Sequence, residues 1–582
     1  MCGIFGVVGC RKNLGKILFT GIKRLEYRGY DSVGMAAMDC SKIVVKKGVG
    51  DVAEVNKKTH FFELKGSLGL AHTRWASCGR VTKQNAHPHQ SCDKKIAIVH
   101  NGIIENFEEI KGNLIKKKHT FFSDTDSEVI AHYFEEKLKN GNMKKAIMDF
   151  FKDAKGTFAV LMVQKGMDKI YAIKRDSPLA LGLCKNSNIL ASDIHAFSDK
   201  TNRAIFFEDN EFAVVENSRY RFFDKEGKEI KKKIHLFKWK TEKLQKRFQH
   251  YMLKEINEEP FVTGRLLNSL RTIQRDNVNK IISLIKKSKR IVFLASGTSY
   301  HAAMVGEHLF NKVNFEAFAL NASDFSGHLI KENTLVVALT QSGETMDVIK
   351  SIKGIKNAKV VSIVNVPYST IHRLSALSLE IAAGQEICVA STKSFVNQIL
   401  TLMYLAQFFG YETDLNQISK RIESTIKKNE NSIKRLADAI YRQKDLYVVG
   451  RGANFPAAKE IALKIKEISY LHAEGMQSGE LKHGTIALVD KGVPVISLIP
   501  DNDANLIHSA KEVQARGAFT ITITNKKTDL RPNMNFKVPY GDNIEFALYS
   551  TVIGQLMAYY IALKLKRPID KPKHLAKSVT VL

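Results

Sequence analysis

The chain has 582 residues, of which 44% are hydrophobic and 25% are charged, and its formal net charge is +30. This composition is typical of a globular protein, and the length predicts roughly three to five domains. We identify no signal peptide and no apolar segment long enough to span a bilayer, so we expect no membrane association. The seven cysteines lack metal-type pair spacing, which favours free thiols in a reducing, cytoplasmic compartment.

The positive charge does not indicate a nucleic-acid partner. The lysines are scattered over predicted helix faces and turns, as at residues 116–118 and 231–233. Aromatic residues do not interleave with them as a stacking platform requires. We therefore interpret them as a solvated surface that favours small anionic substrates.

The first notable feature is Cys2, which directly follows Met1. Removal of Met1 would place a thiol and a free α-amine on one residue. The reference pKa of that amine is about 8, so the amine can serve as general base for its own side chain. The alternative is that Cys2 is simply a small buried hydrophobe. The apolar run at residues 4–8 predicts a strand that would fix the amine in place.

The first 239 residues predict a domain of stacked sheets with helices outside, because short strand-like segments are separated by helical ones. The predicted strands cover residues 43–45, 68–72, 96–100, 158–164, 170–174 and 212–216, and the predicted helices cover 13–25, 106–118, 126–139 and 143–150.

Three polar clusters lie near the ends of these elements. Arg74 could clamp a carboxylate bidentately, and the Asn101 amide with the Gly102 N–H is the donor pair that an oxyanion hole requires. Asp126 could accept an ammonium group. The alternatives are a surface ion pair, a hairpin turn and a helix N-cap, respectively. Together with Cys2, the four features favour a catalytic site.

These residues resemble the class II glutamine amidotransferases, whose N-terminal domain is an Ntn-hydrolase αββα sandwich. The motifs at residues 27–32, 71–76 and 85–89 also match, although Cys78 stands where the family usually carries His. The resemblance implies that the Cys2 thiol attacks the glutamine side-chain amide and releases ammonia, with Asn101 and Gly102 stabilising the oxyanion. It further implies that glutamine is bound by Arg74, Asp126, His87 and Ser77, and that Trp75 gates an ammonia channel.

A charged segment at residues 240–249 is interpreted as a linker, and the chain after it contains an internal repeat. Residues 293–303 align with 448–458, residues 336–339 with 495–498, and residues 361–365 with 521–525, at offsets of 155, 159 and 160 residues. Alternating apolar strands and helices predict two doubly wound parallel sheets of the flavodoxin-like αβα type. We place them at residues 250–425 and 426–566, followed by a tail at 567–582.

The two copies differ in their loops. In the first copy, loops at residues 296–299 and 340–345 are rich in hydroxyls and precede helices, as in a phosphate cradle. In the second copy, the loop at 499–503 has lost its hydroxyls and gained two acids. We therefore place a phosphate in the first copy. The alternative is that the hydroxyls only cap helices.

The repeat resembles paired phosphosugar-binding sugar-isomerase (SIS) domains, here fused behind a class II glutaminase. Motifs at residues 462–470, 479–484 and 575–581 carry this resemblance, and Lys573 and Thr485 depart from the usual Arg and Pro. The resemblance implies that Lys577 forms a Schiff base with fructose 6-phosphate and that Glu467, assisted by Lys464, is the isomerising base. It implies that His483 of a neighbouring subunit assists ring opening. Phosphate would be bound by Ser299, Thr340, Gln341, Ser342 and Thr345, and the sugar by Val389, Ala390 and Ser391. Without the resemblance, ordinary surface roles would be favoured for Lys577, Glu467 and His483.

The implied reaction converts L-glutamine and D-fructose 6-phosphate into L-glutamate and D-glucosamine 6-phosphate, with ammonia channelled between two sites, as the first step of hexosamine synthesis. The resemblance implies a homodimer, and we expect no cofactor and no metal. Three alternatives are another class II amidotransferase, a sugar-phosphate deglycase and a non-catalytic sugar-phosphate sensor. The first would need a different synthetase half, and the deglycase would lack the glutaminase residues. A sensor would tolerate loss of Cys2, Glu467 or Lys577.

Overall fold

A computed structural model describes residues 2–10, 12–39, 42–139, 141–237 and 247–579. The described residues up to 237, together with 578 and 579, form one compact unit, and residues 247–577 form a second. Residues 240–246 of the predicted linker and residues 580–582 of the predicted tail lie outside the described residues. The other predicted domain boundaries stay predictions.

The first unit contains the following elements. Its strands are β1 (Gly3–Val8), β2 (Ser32–Asp39), β3 (Lys42–Val49), β4 (Leu68–Arg74), β5 (His89–Gln90), β6 (Ile96–Ile104), β7 (Gly156–Gln164), β8 (Ile170–Arg175), β9 (Ala180–Leu183), β10 (Asn188–Ala191), β11 (Arg203–Phe206), β12 (Glu211–Val215), β13 (Tyr220–Asp224), β14 (Glu229–Ile230) and β15 (His235–Leu236). Its α-helices are α1 (Leu14–Lys23), α2 (Val52–Thr59), α3 (Phe107–Lys116), α4 (Glu128–Leu138) and α5 (Met143–Asp153).

Within the described residues these strands form two antiparallel sheets that pack face to face. One sheet has the order β15-β11-β9-β10-β1-β4-β2-β3, and the other has the order β14-β13-β12-β8-β7-β6-β5. Alternate apolar side chains of both sheets meet in one core, for example Ile4, Leu70 and Leu161. The other face of the second sheet packs on α3, α4 and α5 through residues such as Ile98 and Phe134. The predicted sandwich of sheets with outer helices is confirmed.

The predicted strand at residues 96–100 is longer in the structure. It continues to Ile104 and pairs with β7, so that Asn101 faces Ala159 and Gly102 faces Phe158. The interpretation that Asn101 and Gly102 close the strand is therefore wrong, and so is the hairpin-turn alternative. The apolar periodicity is interrupted by His100, Asn101 and Gly102, which is why the sequence pattern ends too early.

The second unit contains the following elements. Its strands are β16 (Arg290–Ala295), β17 (Glu316–Asn321), β18 (Thr334–Thr340), β19 (Lys359–Val364), β20 (Leu377–Glu380), β21 (Asp445–Gly450), β22 (His472–Gln477), β23 (Pro494–Ile499), β24 (Phe519–Thr524) and β25 (Met534–Lys537). Its α-helices are α6 (Tyr251–Arg271), α7 (Arg275–Lys287), α8 (Thr298–Lys312), α9 (Met346–Gly354), α10 (Thr370–Leu374), α11 (Lys393–Gln407), α12 (Leu415–Ile440), α13 (Asn454–Ser469), α14 (Ala504–Ala515) and α15 (Asn543–Lys564).

These strands form two parallel five-stranded sheets with the same topology, within the part of the chain that the structure describes. Their orders are β17-β16-β18-β19-β20 and β22-β21-β23-β24-β25. Both follow the flavodoxin-like order 2-1-3-4-5, which confirms the predicted repeat and its fold. The second and fifth strands of each copy are missing from the sequence interpretation. Their burial is mixed, as in β22, so their sequences lack a continuous apolar run, and the fifth strands have only four residues.

The two copies share one continuous core, to which α6, α8, α11, α12, α13 and α15 all contribute. Helix α15 is an apolar helix of 22 residues with a mean hydropathy of 1.4 over its best window. By length and composition alone it could span a membrane, contrary to our expectation from the sequence. However, 94% of that window is buried inside the unit, as expected for the central helix of a globular core.

Candidate active sites

The Cys2 thiol lies against the backbone at the end of β4. The Trp75 N–H donates to Cys2 Sγ at 3.4 Å, and the thiol lies 3.6 Å from the Trp75 carbonyl oxygen. Antiparallel pairing of Gly3 with Thr73 places the two segments side by side. The Asn101 Nδ2 donates to the Cys2 carbonyl oxygen at 2.8 Å, so β6 also reaches this point. The structure thus brings Cys2, Trp75 and Asn101 together, as predicted.

Asn101 and Gly102 are held inside β6 with unusual local geometry. Asn101 Oδ1 is buried and has no hydrogen-bond partner among the described residues. Gly102 has φ of +126°, and a Cβ added there would lie 2.0 Å from the carbonyl oxygen of Thr157. Only glycine fits this close approach of two strands, so the Gly102 N–H is presented in an orientation that other residues could not adopt.

Arg74 is buried at the end of β4, and its guanidinium holds the following loop. It donates to the carbonyl oxygens of Arg80 and Gly79, each at 3.0 Å, and also to the carbonyl oxygen of Cys78. A guanidinium has five N–H donors, so these contacts leave part of its donor capacity for a ligand. The surface ion pair that we considered for Arg74 is not what the structure shows.

Asp126 faces β6 instead of capping a helix. Its Oδ2 accepts a hydrogen bond from the Ile104 N–H at 2.8 Å, and Ser127 Oγ lies 3.4 Å from its Oδ1. Helix α4 begins two residues later, and Ser127 occupies its N-cap position. The helix-cap alternative for Asp126 is therefore wrong, and the carboxylate is tied to the strand that carries Asn101.

His87 belongs to a buried cluster of histidines. Its ring stacks on His72 with 3.9 Å between centroids, and its Nδ1 accepts the His100 N–H at 3.3 Å. Burial lowers the pKa of all of these rings, and it lowers the pKa of His72 to about 3. The cluster is neutral at physiological pH, so it can pack tightly without charge repulsion. Ser77, by contrast, is exposed, and the Trp75 ring lies edge-on to Tyr30 at 6.0 Å.

In the second unit, Lys577 is a buried side chain and not a solvated tail lysine. Its exposed fraction is 2%, and its Nζ donates to Glu386 Oε2 at 2.6 Å and to Ser391 Oγ at 3.1 Å. Glu386 also accepts the backbone N–H groups of Thr392 and Ser394, at 2.9 and 3.1 Å. Burial acts to raise the pKa of Glu386, but the Lys577 ammonium and these hydrogen bonds hold it at about 2.

Glu386 is a residue of this candidate site that sequence reasoning missed. It lies five residues before Ser391, in an irregular segment without periodicity, so its position gave no sign that it faces Lys577. The one available signal in the sequence was its location a few residues before the predicted sugar-binding segment.

Helix α13 presents three ionisable side chains on one face. Glu460, Lys464 and Glu467 follow at spacings of four and three residues, and Lys464 Nζ lies 2.5 Å from Glu467 Oε2 and 3.4 Å from Glu460 Oε1. Burial raises the pKa of Glu467, although Lys464 opposes this effect. A carboxyl group whose pKa lies above its usual value is suited to exchange a proton near neutral pH.

Lys464 and Glu460 of α13 are hydrogen-bonded to the first copy of the repeat. Thr298 Oγ1 accepts from Lys464 Nζ at 3.0 Å, and His301 Nδ1 lies 2.7 Å from Glu460 Oε2. Thr298 and His301 lie in the first turn of α8, beside the predicted phosphate loop. The buried network therefore joins the predicted base to the predicted phosphate site.

The loops after β16 and β18 lie at neighbouring carboxyl ends of the first parallel sheet, where ligands bind in this fold. Thr340 Oγ1 and Thr345 Oγ1 are 3.1 Å apart, and the Gly343 N–H donates to Thr340 Oγ1 at 3.1 Å. Ser299 Oγ accepts from Gln398 Nε2 at 2.9 Å. Gln341 and Ser342 lie in the same loop as Thr340 and Thr345. The predicted sugar-binding segment that includes Val389 and Ala390 is held by a separate contact, in which the Val389 N–H donates to the Asp570 carbonyl oxygen at 3.1 Å.

The hydroxyls of this loop do not cap helices. Thr345 occupies the N-cap position of α9, yet its side chain makes no capping hydrogen bond. In the second copy, the Asp503 side chain caps α14 by accepting the N–H groups of Asn505 and Leu506. This contrast favours the phosphate interpretation for the first copy over the helix-cap alternative.

His483 does not lie with Glu467 and Lys577. It lies on an exposed turn at residues 480–483, and among the described residues no hydrogen bond links it to Glu467 or Lys577. Its predicted role as a residue lent to a neighbouring subunit stays a prediction.

Comparison with known protein families defines the class of protein. The family model for a glutamine amidotransferase domain matches residues 72–199, and that for the SIS domain matches residues 284–407 and 439–565. The C-terminal domain of glucosamine-fructose-6-phosphate aminotransferase from Francisella tularensis superposes on 56% of the chain, with 30% identity, a TM-score of 0.52 and all of that domain covered. The chain is thus a glutamine amidotransferase with two SIS domains.

Curated relatives narrow this class to one family. Proteins named glutamine–fructose-6-phosphate aminotransferase (isomerizing) from Thermococcus kodakarensis, Sulfolobus acidocaldarius and Buchnera aphidicola are 39%, 38% and 38% identical to it. Each match covers 100% of both chains. The chain belongs to the glutamine–fructose-6-phosphate aminotransferase (isomerizing) family.

Proposed function

We propose that this enzyme converts L-glutamine and D-fructose 6-phosphate into L-glutamate and D-glucosamine 6-phosphate. The observation that carries the proposal is the pairing of Lys577 with Glu386 and Ser391 in one unit while the other unit holds Cys2 beside Asn101. The names of the relatives that match over the whole chain support the same reaction.

In the glutaminase half, the Cys2 thiolate attacks the side-chain amide carbon of glutamine. The α-amine of Cys2, once Met1 is removed, takes the thiol proton and later delivers it to the leaving ammonia. The Asn101 amide and the Gly102 N–H stabilise the oxyanion. Arg74 and Asp126 fix the substrate carboxylate and amino group, and water then releases glutamate from the thioester.

In the isomerase half, the Lys577 ammonium first passes a proton to solvent. The resulting amine attacks the ketone carbon, and water leaves as the imine forms. Glu386, 2.6 Å away, holds the Lys577 side chain in position until substrate enters. Ammonia then displaces Lys577 from the resulting imine, and Glu467 moves a proton between the two adjacent carbons to give the aldose. The buried Lys464 orients the Glu467 carboxylate for this transfer.

The loop at residues 340–345 supplies hydroxyl and N–H donors for the sugar phosphate, together with Ser299. Val389, Ala390 and Ser391 would contact the sugar. We further propose a cytoplasmic homodimer, in which the exposed His483 of each subunit enters the partner's site to open the sugar ring. Sedimentation of the enzyme as a monomer at assay concentration would contradict the dimer.

The test measures glutamate and glucosamine 6-phosphate in the same reaction. The full chain should release both from glutamine and fructose 6-phosphate. Cys2→Ala should abolish both products, with a loss of about a thousandfold or more, as for removal of a nucleophile. Lys577→Arg should abolish only the amino sugar, and Cys184→Ser is the matched control with unchanged rates.

Two outcomes would overturn the proposal. Glutamate without amino sugar in the unmodified enzyme would contradict the sugar assignment. If neither product forms in a sample with a verified Cys2 N-terminus, but fructose 6-phosphate still binds, the chain is a sensor and not an enzyme.

A further inference from the structure

The first unit contains a second cluster of reactive side chains, formed by Cys92, His119, His132 and Glu135. Each contributes one atom able to bind a metal ion, and these four atoms all lie within 4.8 Å of one another. None of the four residues takes part in the proposed glutaminase chemistry.

The separations between these atoms match a tetrahedral ion. Cys92 Sγ lies 3.4 Å from His132 Nδ1 and 3.8 Å from His119 Nδ1. Glu135 Oε2 lies 3.4 Å from His132 Nδ1 and 3.1 Å from His119 Nδ1. Tetrahedral Zn²⁺ with bonds of about 2.3 Å to sulfur and about 2.0 Å to nitrogen or oxygen would hold its ligands about 3.3 to 3.6 Å apart. We propose that Cys92, His119, His132 and Glu135 form a structural zinc site.

The surroundings of the two histidines support this assignment. His119 and His132 are almost fully buried, and each directs Nδ1 into the cluster while its Nε2 faces another carboxylate. His119 Nε2 lies 3.1 Å from Glu136 Oε2, and His132 Nε2 lies 3.5 Å from Glu128 Oε1. The carboxylate behind His119 fixes the tautomer and orientation of this ring, as in many zinc proteins. His132 Nε2 makes no hydrogen bond among the described residues, so Glu128 is only a nearby negative charge.

The ligand set indicates both the type of ion and its role. One thiolate, two imidazoles and one carboxylate suit Zn²⁺ and are unsuitable for Mg²⁺ or Ca²⁺, which prefer oxygen ligands. Four protein ligands leave no open position, so the ion would be structural and not catalytic. The negative charges of the Cys92 thiolate and the Glu135 carboxylate would balance the charge of the ion.

Loading of the ion is chemically simple. On binding, Zn²⁺ forms a bond to sulfur and the thiol proton passes to solvent, with no change of oxidation state. Cys92 is exposed, which provides a path for the ion from the surface.

The site would join three segments that are distant in sequence. Cys92 lies in the turn between β5 and β6, His119 lies in the loop between α3 and α4, and His132 and Glu135 share one face of α4. The loop that contains His119 also carries Asp126. An ion here would therefore hold this loop and α4 against the second sheet.

The experiment measures bound zinc in the full-length protein by elemental analysis after incubation with excess ZnCl₂ and exhaustive dialysis. We expect about one zinc per chain in the unmodified protein. Cys92→Ser and His119→Gln should each lose at least nine tenths of the zinc. Cys184→Ser and Cys2→Ala are matched controls that should retain it, which excludes binding by those two thiols.

Substitution with Co²⁺ gives a second measurement that does not depend on activity. The unmodified protein should show the visible bands of tetrahedral Co²⁺ together with a thiolate charge-transfer band, and Cys92→Ser should lose the latter. Circular dichroism checks that each variant is folded. The proposal is overturned if the unmodified protein retains no zinc, or if Cys92→Ser and His119→Gln, both folded, retain as much as Cys184→Ser.

Discussion

At the scale of single residues, the pair Lys577–Glu386 shows how burial changes the role of a side chain. A lysine near the end of a chain is ordinarily solvated, whereas the Lys577 side chain is only 2% exposed. It forms an ion pair with Glu386, whose side chain has no exposed surface. Charges removed from water must be paired, so each partner depends on the other.

We predict that Glu386→Gln destabilises the second unit and slows amino-sugar formation. Removing one partner of a buried ion pair costs about 3 to 5 kcal/mol, because the other charge is left unpaired. The rate of glucosamine 6-phosphate formation should fall by about tenfold or more, since Lys577 is no longer held in position. The exposed Glu412→Gln is the control and should change neither quantity.

The same pair predicts a pH dependence. The pKa of Glu386 is about 2 in the folded protein and about 4.3 in the unfolded chain, so the carboxylate favours folding above that higher value. This contribution is lost as the pH falls from about 4.3 toward 2. Denaturant titrations at several pH values should show the difference between the unmodified protein and Glu386→Gln shrinking over that window. A difference that stays constant there would contradict the assignment.

At the scale of elements, β6 carries the proposed oxyanion donors, and the loop before α9 carries the proposed phosphate donors. Strand β6 holds Asn101 and Gly102 beside β7, whose close approach dictates glycine. In the second unit, equivalent loops of the two repeats use their side chains differently. In the first repeat, the Thr345 side chain makes no capping hydrogen bond to α9. In the second repeat, the Asp503 carboxylate caps α14.

We predict opposite effects for two glycine substitutions in neighbouring elements. Gly102→Ala places a methyl group 2.0 Å from a carbonyl oxygen at φ of +126°, so it should destabilise the first unit and abolish glutamine hydrolysis. Gly112→Ala in α3 meets nothing within 4 Å. It should stabilise the protein by up to about 1 kcal/mol, because alanine favours helix. Thermal unfolding and glutamate release of both variants check this, and an active Gly102→Ala enzyme would be evidence against the oxyanion role.

The repeat offers a second matched pair. Thr345→Val removes a hydroxyl from the proposed phosphate loop and should weaken fructose 6-phosphate binding about tenfold or more, with little change in stability. Asp503→Ala removes the cap of α14 and should cost about 0.5 to 2 kcal/mol of stability, with unchanged sugar binding. Calorimetric titration and thermal unfolding distinguish the two. If Asp503→Ala weakened sugar binding as much as Thr345→Val, the phosphate would not be confined to the first copy.

At the scale of the whole molecule, two compact units with different architectures carry two different reactions. The first is an antiparallel sandwich, and the second is a pair of parallel sheets around one core. The formal net charge of the whole chain is +30, and its electrostatic field attracts anions that approach the surface.

We predict that the two substrates respond differently to salt. Fructose 6-phosphate is an anion, whereas glutamine has no net charge at neutral pH. Raising the ionic strength from about 0.01 M to about 0.15 M shortens the Debye length from about 30 to about 8 Å. The KM for fructose 6-phosphate should therefore rise several-fold while the KM for glutamine changes little. Equal responses of both constants would show that the positive surface does not act on the phosphate.

The sequence by itself determined the class of each unit, seven of the fifteen strands described for the first unit and six of the ten described for the second. The strands that became β7 and β8 have unbroken apolar runs, and those that became β1 and β4 have apolar runs interrupted only by glycine. The repeat is visible because both copies keep the same apolar strands before their loops. Local motifs and their resemblance to a family were enough to select four candidate site residues, namely Cys2, Arg74, Asn101 and Lys577.

Only the tertiary structure decided which side chains meet. Glu386 and Lys577 are separated by 191 residues, and Cys92 and His132 by 40, and no local periodicity reports such contacts. The extension of β6 through Asn101 and Gly102 likewise depends on pairing with β7. Local preferences are set by each residue and its neighbours, whereas burial, pairing and ligand geometry arise from chain segments that only folding brings together.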